Sequence, residues 1–96
     1  MTPETIRPVV LGVLKEVQEL CGRRWDGLPV TAKPIGALTG FDSLCSIEAT
    51  VLVEQKLGCA PLGASSIFIS EDGTRALTLQ EISERIHKLI TAQGKR

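Results

Sequence analysis

Gly40-Phe41-Asp42-Ser43-Leu44-Cys45-Ser46-Ile47-Glu48-Ala49-Thr50-Val51-Leu52-Val53-Glu54-Gln55-Lys56-Leu57-Gly58 is the stretch that decides how this chain folds. It reads as one helix from Ser43 to Leu57. Asp42 offers a carboxylate to the free N–H groups of the first turn, and Gly58 stands where a left-handed residue commonly ends a helix. The apolar residues do not fall on a single stripe. Ala49, Val53 and Leu57 recur at four-residue steps with Thr50 beside them, which suits a bundle core. Leu44, Ile47 and Val51 form a second stripe, rotated well away from the first and bordered by Glu48 and Gln55. A helix apolar on two sides is either central to its bundle or holds one side out for a partner. The residues alone leave both readings open.

Working outward, two more segments carry helical periodicity. Upstream, Ile6, Val9, Val10, Val13, Leu14, Val17, Leu20 and Cys21 recur at three- and four-residue steps. Thr2 followed by Pro3 predicts an N-cap with proline at the first helical position. Pro8 removes a backbone donor, so the helix is expected to start afresh there or to bend, and Gly22 stops it. Downstream, Thr78-Leu79-Gln80-Glu81 predicts a capping box, followed by the apolar face Leu79, Ile82, Ile86, Leu89 and Ile90. The polar tail from Thr91 to Arg96 is expected to fray.

The connections are less regular. From Gly22 to about Asp42, the residues Gly27, Pro29, Pro34, Gly36 and Gly40 break regular structure repeatedly. Trp25, Leu28, Val30, Ile35 and Leu38 are expected to pin this loop to the core. Between Cys59 and Ala76, the run Ser66-Ile67-Phe68-Ile69-Ser70 has strand-like composition. Asp72-Gly73 beyond it has no second strand to turn into, so a short helix and an extended segment packed on the bundle both remain open.

Composition narrows the function classes. The 96 residues predict a single domain, ordered over about residues 5–90. With 43% apolar residues but only 3% aromatic, the core must be aliphatic. Eleven bases balance eleven acids, so no broad basic surface is available for nucleic acid. No apolar run approaches the roughly 20 residues of a membrane span, and Met1 to Thr5 lacks the features of a secretory signal. Cys21, Cys45 and Cys59 are odd in number, widely spaced and without a CxxC pair, which argues against a zinc site or a disulfide framework. A reduced cytoplasmic protein is expected, without a metal.

The start of the central helix suits covalent modification. With Asp42 as the cap, Ser43 lies in the first turn with its hydroxyl at the helix mouth. An anionic group attached there would meet free N–H groups and the positive end of the helix dipole. As a bare tripeptide, Asp42-Ser43-Leu44 does no more than start a helix.

The longer pattern is more specific. Gly40-Phe41-Asp42-Ser43-Leu44, then Ile47-Glu48, then Leu52 to Gly58, resembles the centre of an acyl carrier protein. The resemblance includes the preceding apolar helix, the long first loop and the helix introduced by Thr78, and covers roughly residues 5 to 90. It implies an all-α fold: a small four-helix bundle of three long helices and one short. It also implies that Ser43, flanked by Asp42 and Leu44, carries a covalent 4′-phosphopantetheine arm from coenzyme A, placed by a phosphopantetheinyl transferase. The arm would hold acyl or aminoacyl groups as thioesters in fatty-acid or polyketide biosynthesis. The implied partners are a loading ligase and a downstream acyltransferase or synthase, and the protein itself, a monomer, would catalyse nothing. The family's docking positions fall on Leu44, Ile47, Glu48 and Val51, which favours the partner-facing reading of the second stripe.

The chain departs from the family in two respects. It is neutral where typical fatty-acid carriers are strongly acidic, with Lys56 interrupting the acidic end of the central helix and Arg23, Arg24, Lys33 and Arg75 in the loops. The segment from Ala60 to Arg75 is also longer than usual. Both departures point to a specialised carrier with a dedicated partner and weaker electrostatic steering. Two other readings compete. A carrier-like module that binds a partner unmodified would use the same stripe. An enzyme would need Cys45 or Cys59 beside His87, the only histidine, and nothing in the sequence brings them together.

Overall fold

Three long helices and one short helical turn, joined by two long connections, make up the fold. The structure, a computed structural model, describes residues 2–63 and 66–93. Helix α1 spans Pro3–Leu20, α2 Pro34–Ala37, α3 Ser43–Leu57 and α4 Leu79–Gln93. The described residues contain no strand, only an isolated antiparallel bridge between Ile69 and Ala76. The all-α class, the four helices and the long first loop are as expected. The short helix lies in that first loop, and it is one turn only, because Ile35 and Gly36 leave helical dihedral angles.

Helix α1 packs against both α3 and α4. Thr2 caps it reciprocally with Thr5, and the helix runs unbroken across Pro8. Both Pro8 and Glu4, whose carbonyl loses its usual donor, are exposed, so water can replace the missing hydrogen bond. Ile6, Val10, Val13, Leu14 and Val17 are buried, but Leu20 is 78% exposed and Cys21 is exposed too. These last two were expected on the apolar face. Gln18 is fully buried instead, its amide nitrogen donating to the Thr39 carbonyl at 2.9 Å. A buried amide costs little when it is hydrogen-bonded, and this one ties the end of α1 to the loop before α3.

The first loop is anchored as its composition suggests. Leu38 and Phe41 are buried, and Trp25, Leu28, Val30 and Ile35 pack half-buried against the core. The loop also gives α4 its start: the carbonyls of Ala32 and Val30 accept the N–H groups of Leu79 and Gln80 at 2.9 and 3.0 Å. Thr78 and Glu81 form the expected capping box, with bonds of 2.9 and 3.2 Å. Arg75 clamps the same carboxylate with Nη1 and Nη2 of its guanidinium. Leu79, Ile82 and Ile86 are buried and Leu89 and Ile90 half-buried. The helix continues through Gln93. The rest of the tail expected to fray, residues 94–96, lies outside the described residues, as do residues 64 and 65 in the long segment.

The strand-like run corrects one expectation. Asp72-Gly73 does turn the chain back, onto residues 75–77: Ser70 N donates to Arg75 O at 2.8 Å and Leu77 N to Phe68 O at 2.9 Å. Asp72 organises the turn by accepting from the Ser70 and Thr74 hydroxyls and the Thr74 N–H. Those donors hold its carboxyl down at about 2, well below the ordinary value. The segment is neither helix nor strand but a run of turns, held in place because α3 supplies its partners. Thr50 Oγ1 accepts the Ile67 N–H at 3.1 Å, and the Ser46 and Ser66 hydroxyls are bonded at 2.8 Å. Arg85 of α4 reaches the carbonyls of Ser66 and Ile69. Ile67 and Phe68 are thereby fixed in the core, with the Phe68 ring edge-on to Phe41 at 5.4 Å.

Candidate functional site

Ser43 is the first residue of α3 and is exposed. Asp42 precedes it in an extended conformation and accepts the Cys45 N–H at 2.9 Å, as the capping argument requires. That bond holds the Asp42 carboxyl below its ordinary range, so it stays ionised. The N–H of Ser43 has no acceptor among the described residues. Ser43 is held from behind: its carbonyl accepts the Ser46 hydroxyl at 2.6 Å.

Below the cap lies a polar cluster that sequence reasoning missed. The Arg23 guanidinium donates through Nη1 to the Gln18 side chain at 3.4 Å and to the Cys45 sulfur at 3.8 Å. The Cys45 thiol donates to the Gly40 carbonyl at 3.7 Å. Gly40 has a φ of +71°, and a Cβ there would stand 2.6 Å from Arg23 Nε. Glycine is therefore required both by the backbone and by the close approach of Arg23. The cluster joins the end of α1, the first loop and the first turn of α3. Its one sequence signal is a basic residue just past a helix stop, which marks nothing by itself.

The two stripes of α3 part company in the fold. Ala49, Thr50 and Val53 are buried and Leu57 is half-buried. Leu44 is 69% exposed, Ile47 42% and Val51 47%, with Glu48 exposed among them. The stripe assigned to docking is thus a free surface of the isolated chain, continuous along the helix with Ser43.

Other candidate chemistry is not assembled. Cys45 is bonded to Arg23 and Gly40, and Cys59 lies against the Glu54 carbonyl, its thiol pushed upward in pKa by burial. Neither sulfur has His87 as a partner, and His87 is half-buried on α4. Among the described residues no three His, Cys, Asp or Glu side chains group as a metal site. No helix there is long and apolar enough to cross a membrane. Comparisons with protein-family models, with curated proteins and with solved structures gave no match.

Proposed function

We propose that this chain is an acyl carrier protein, with Ser43 Oγ accepting 4′-phosphopantetheine from coenzyme A by the action of a phosphopantetheinyl transferase. The observation that carries the reading is the position of Ser43, an exposed hydroxyl on the first turn of a helix capped by Asp42. Serine fits because its hydroxyl forms the phosphodiester. The helix start fits because its N–H groups and dipole favour an anion, and the Ser43 N–H is uncommitted. When bound, the arm supplies a thiol that carries an acyl or aminoacyl group as a thioester, and tethering raises the local concentration of that cargo at each partner.

The chain's own residues position and recognise. Asp42 fixes the turn, and the Gln18–Arg23–Cys45 cluster holds that turn against α1. Leu44, Ile47, Glu48 and Val51 form the docking face for the transferase, a loading ligase and a downstream acyltransferase or synthase, in the cytoplasm. The test is intact mass with and without coenzyme A and a transferase. A mass gain of one arm mapping to Ser43, absent from Ser43→Ala, is the expected result. A gain on Ser43→Ala overturns the attachment site. No gain with competent transferases leaves an unmodified interaction module on the same stripe.

A further inference from the structure

The inner edge of α3 is bonded to the chain that follows it at three successive turns. Ser46, Thr50 and Glu54 stand four residues apart and so share one face. The Ser46 hydroxyl is bonded to that of Ser66 at 2.8 Å, and Thr50 Oγ1 accepts the Ile67 N–H at 3.1 Å. The Glu54 carboxylate accepts the Leu62 N–H at 2.7 Å. This seam begins at Ser43 itself, because the Ser46 hydroxyl also donates to the Ser43 carbonyl at 2.6 Å. From α4, Arg85 holds the carbonyls of Ser66 and Ile69. Behind the seam the core is filled by Ile67 and Phe68, both fully buried, with the Phe68 ring edge-on to Phe41, two residues before Ser43.

An alkyl chain on an arm at Ser43 would gain by leaving water, and the seam is where it would enter the core. Entry would leave the Ile67 N–H and the Ser46 and Thr50 hydroxyls short of partners at buried positions, which is costly. It would also have to displace Ile67 or the Phe41–Phe68 pair from a close-packed interior. The open groove between α4 and the segment carrying Ile69 and Leu77 gives no way round. No α3 residue lines it, and Glu71, Arg75, Glu84, Arg85 and Lys88 stand along it. Resting on the carrier reading, we propose that the bundle does not shelter its cargo. The group on the arm stays in water, so the class that suits this carrier is a short or polar acyl group or an aminoacyl group, not a long alkyl chain. Choice of cargo then belongs to the loading enzyme, because the carrier makes no contact with the acyl tail.

The probes are coenzyme A, acetyl-coenzyme A and octanoyl-coenzyme A, loaded onto Ser43 by a phosphopantetheinyl transferase of broad specificity and confirmed by intact mass. Thioester cleavage by hydroxylamine, again followed by mass, is referred to that of the free acyl-coenzyme A. The relative rates for the acetyl and octanoyl forms are expected to agree within about threefold, and their unfolding midpoints within about 2 °C. Octanoyl cleavage slowed by more than about threefold, or a midpoint raised by more than about 2 °C, overturns the proposal. In Phe68→Leu, shown by thermal unfolding to be folded, the octanoyl thioester alone is expected to become protected. If it stays unprotected there, Phe68 is not what closes the core, and that part of the proposal falls. Failure to load Ser43 even from coenzyme A removes the carrier reading itself, whereas loading followed by a dependence on chain length removes only this proposal.

Discussion

Helices α3 and α4 are the same length, 15 residues, and their N-terminal ends are treated in opposite ways. At α4 the first three N–H groups are all taken: Leu79 by Ala32 O, Gln80 by Val30 O, Glu81 by the Thr78 hydroxyl. At α3 the cap serves Cys45, while the Ser43 N–H is left without an acceptor among the described residues and its side chain faces solvent. The same contrast runs down the helices. Helix α4 turns its large apolar residues inward, whereas α3 leaves Leu44, Ile47 and Val51 outside. One helix is closed into the fold at both levels, and the other is held firmly on one side and left available on the other.

The sharpest break of this comparison is chemical. Ser43→Ala is expected to abolish arm attachment completely, while Thr78→Ala, at the closed start, leaves attachment at its normal rate; intact mass reads both. Next in size is packing. Ile82→Ala on α4 should cost about 2–5 kcal/mol in denaturant unfolding, because it opens a cavity at a fully buried site. Thr78→Ala should cost about 0.5–2 kcal/mol by removing a helix cap.

The closed start also carries a pH dependence. Arg75 first, then the Thr78 N–H, pull the Glu81 carboxyl from an ordinary 4.5 to about 2. The unfolded chain therefore binds this proton first as pH falls. Stability present above about pH 4.5 should drain away between there and about pH 2. Glu81→Gln should flatten that acid limb in thermal melts, and Asp72→Asn should remove a further part of it. The smallest expected effect is Ile47→Ala, within about 0.5 kcal/mol of the parent in unfolding. A large loss there would mean that the exposed stripe supports the fold and would erase the difference between the two helices.

Local signals carried much of this architecture. Asp42, Gly58, Thr78 and Glu81 mark helix ends through hydrogen bonds spanning only a few residues, and the structure places them at those ends. Periodicity likewise assigned Val10, Val13, Val53 and Ile82 to the interior. It misplaced Leu20, which continues the apolar pattern after the bundle has ended, and overlooked Gln18, whose burial depends on a carbonyl 21 residues away. The turning course of residues 66–77 was open for the same reason: Thr50, Ser46 and Arg85 hold it from other elements.

The sequence by itself determined both ends of α3 and the start of α4, most of the apolar face of each long helix, and that Ser43 starts a capped turn. All of these follow from interactions within one helical turn or from a fixed period. Only the tertiary structure decided which apolar face of α3 is buried. Thr50, Ala49 and Val53 win the inside because α1 and the Ile67–Phe68 segment meet them there, leaving Leu44, Ile47 and Val51 to solvent. It also gave Glu54 and Lys56 their partners, the Leu62 N–H and Glu16, which only folding brings near.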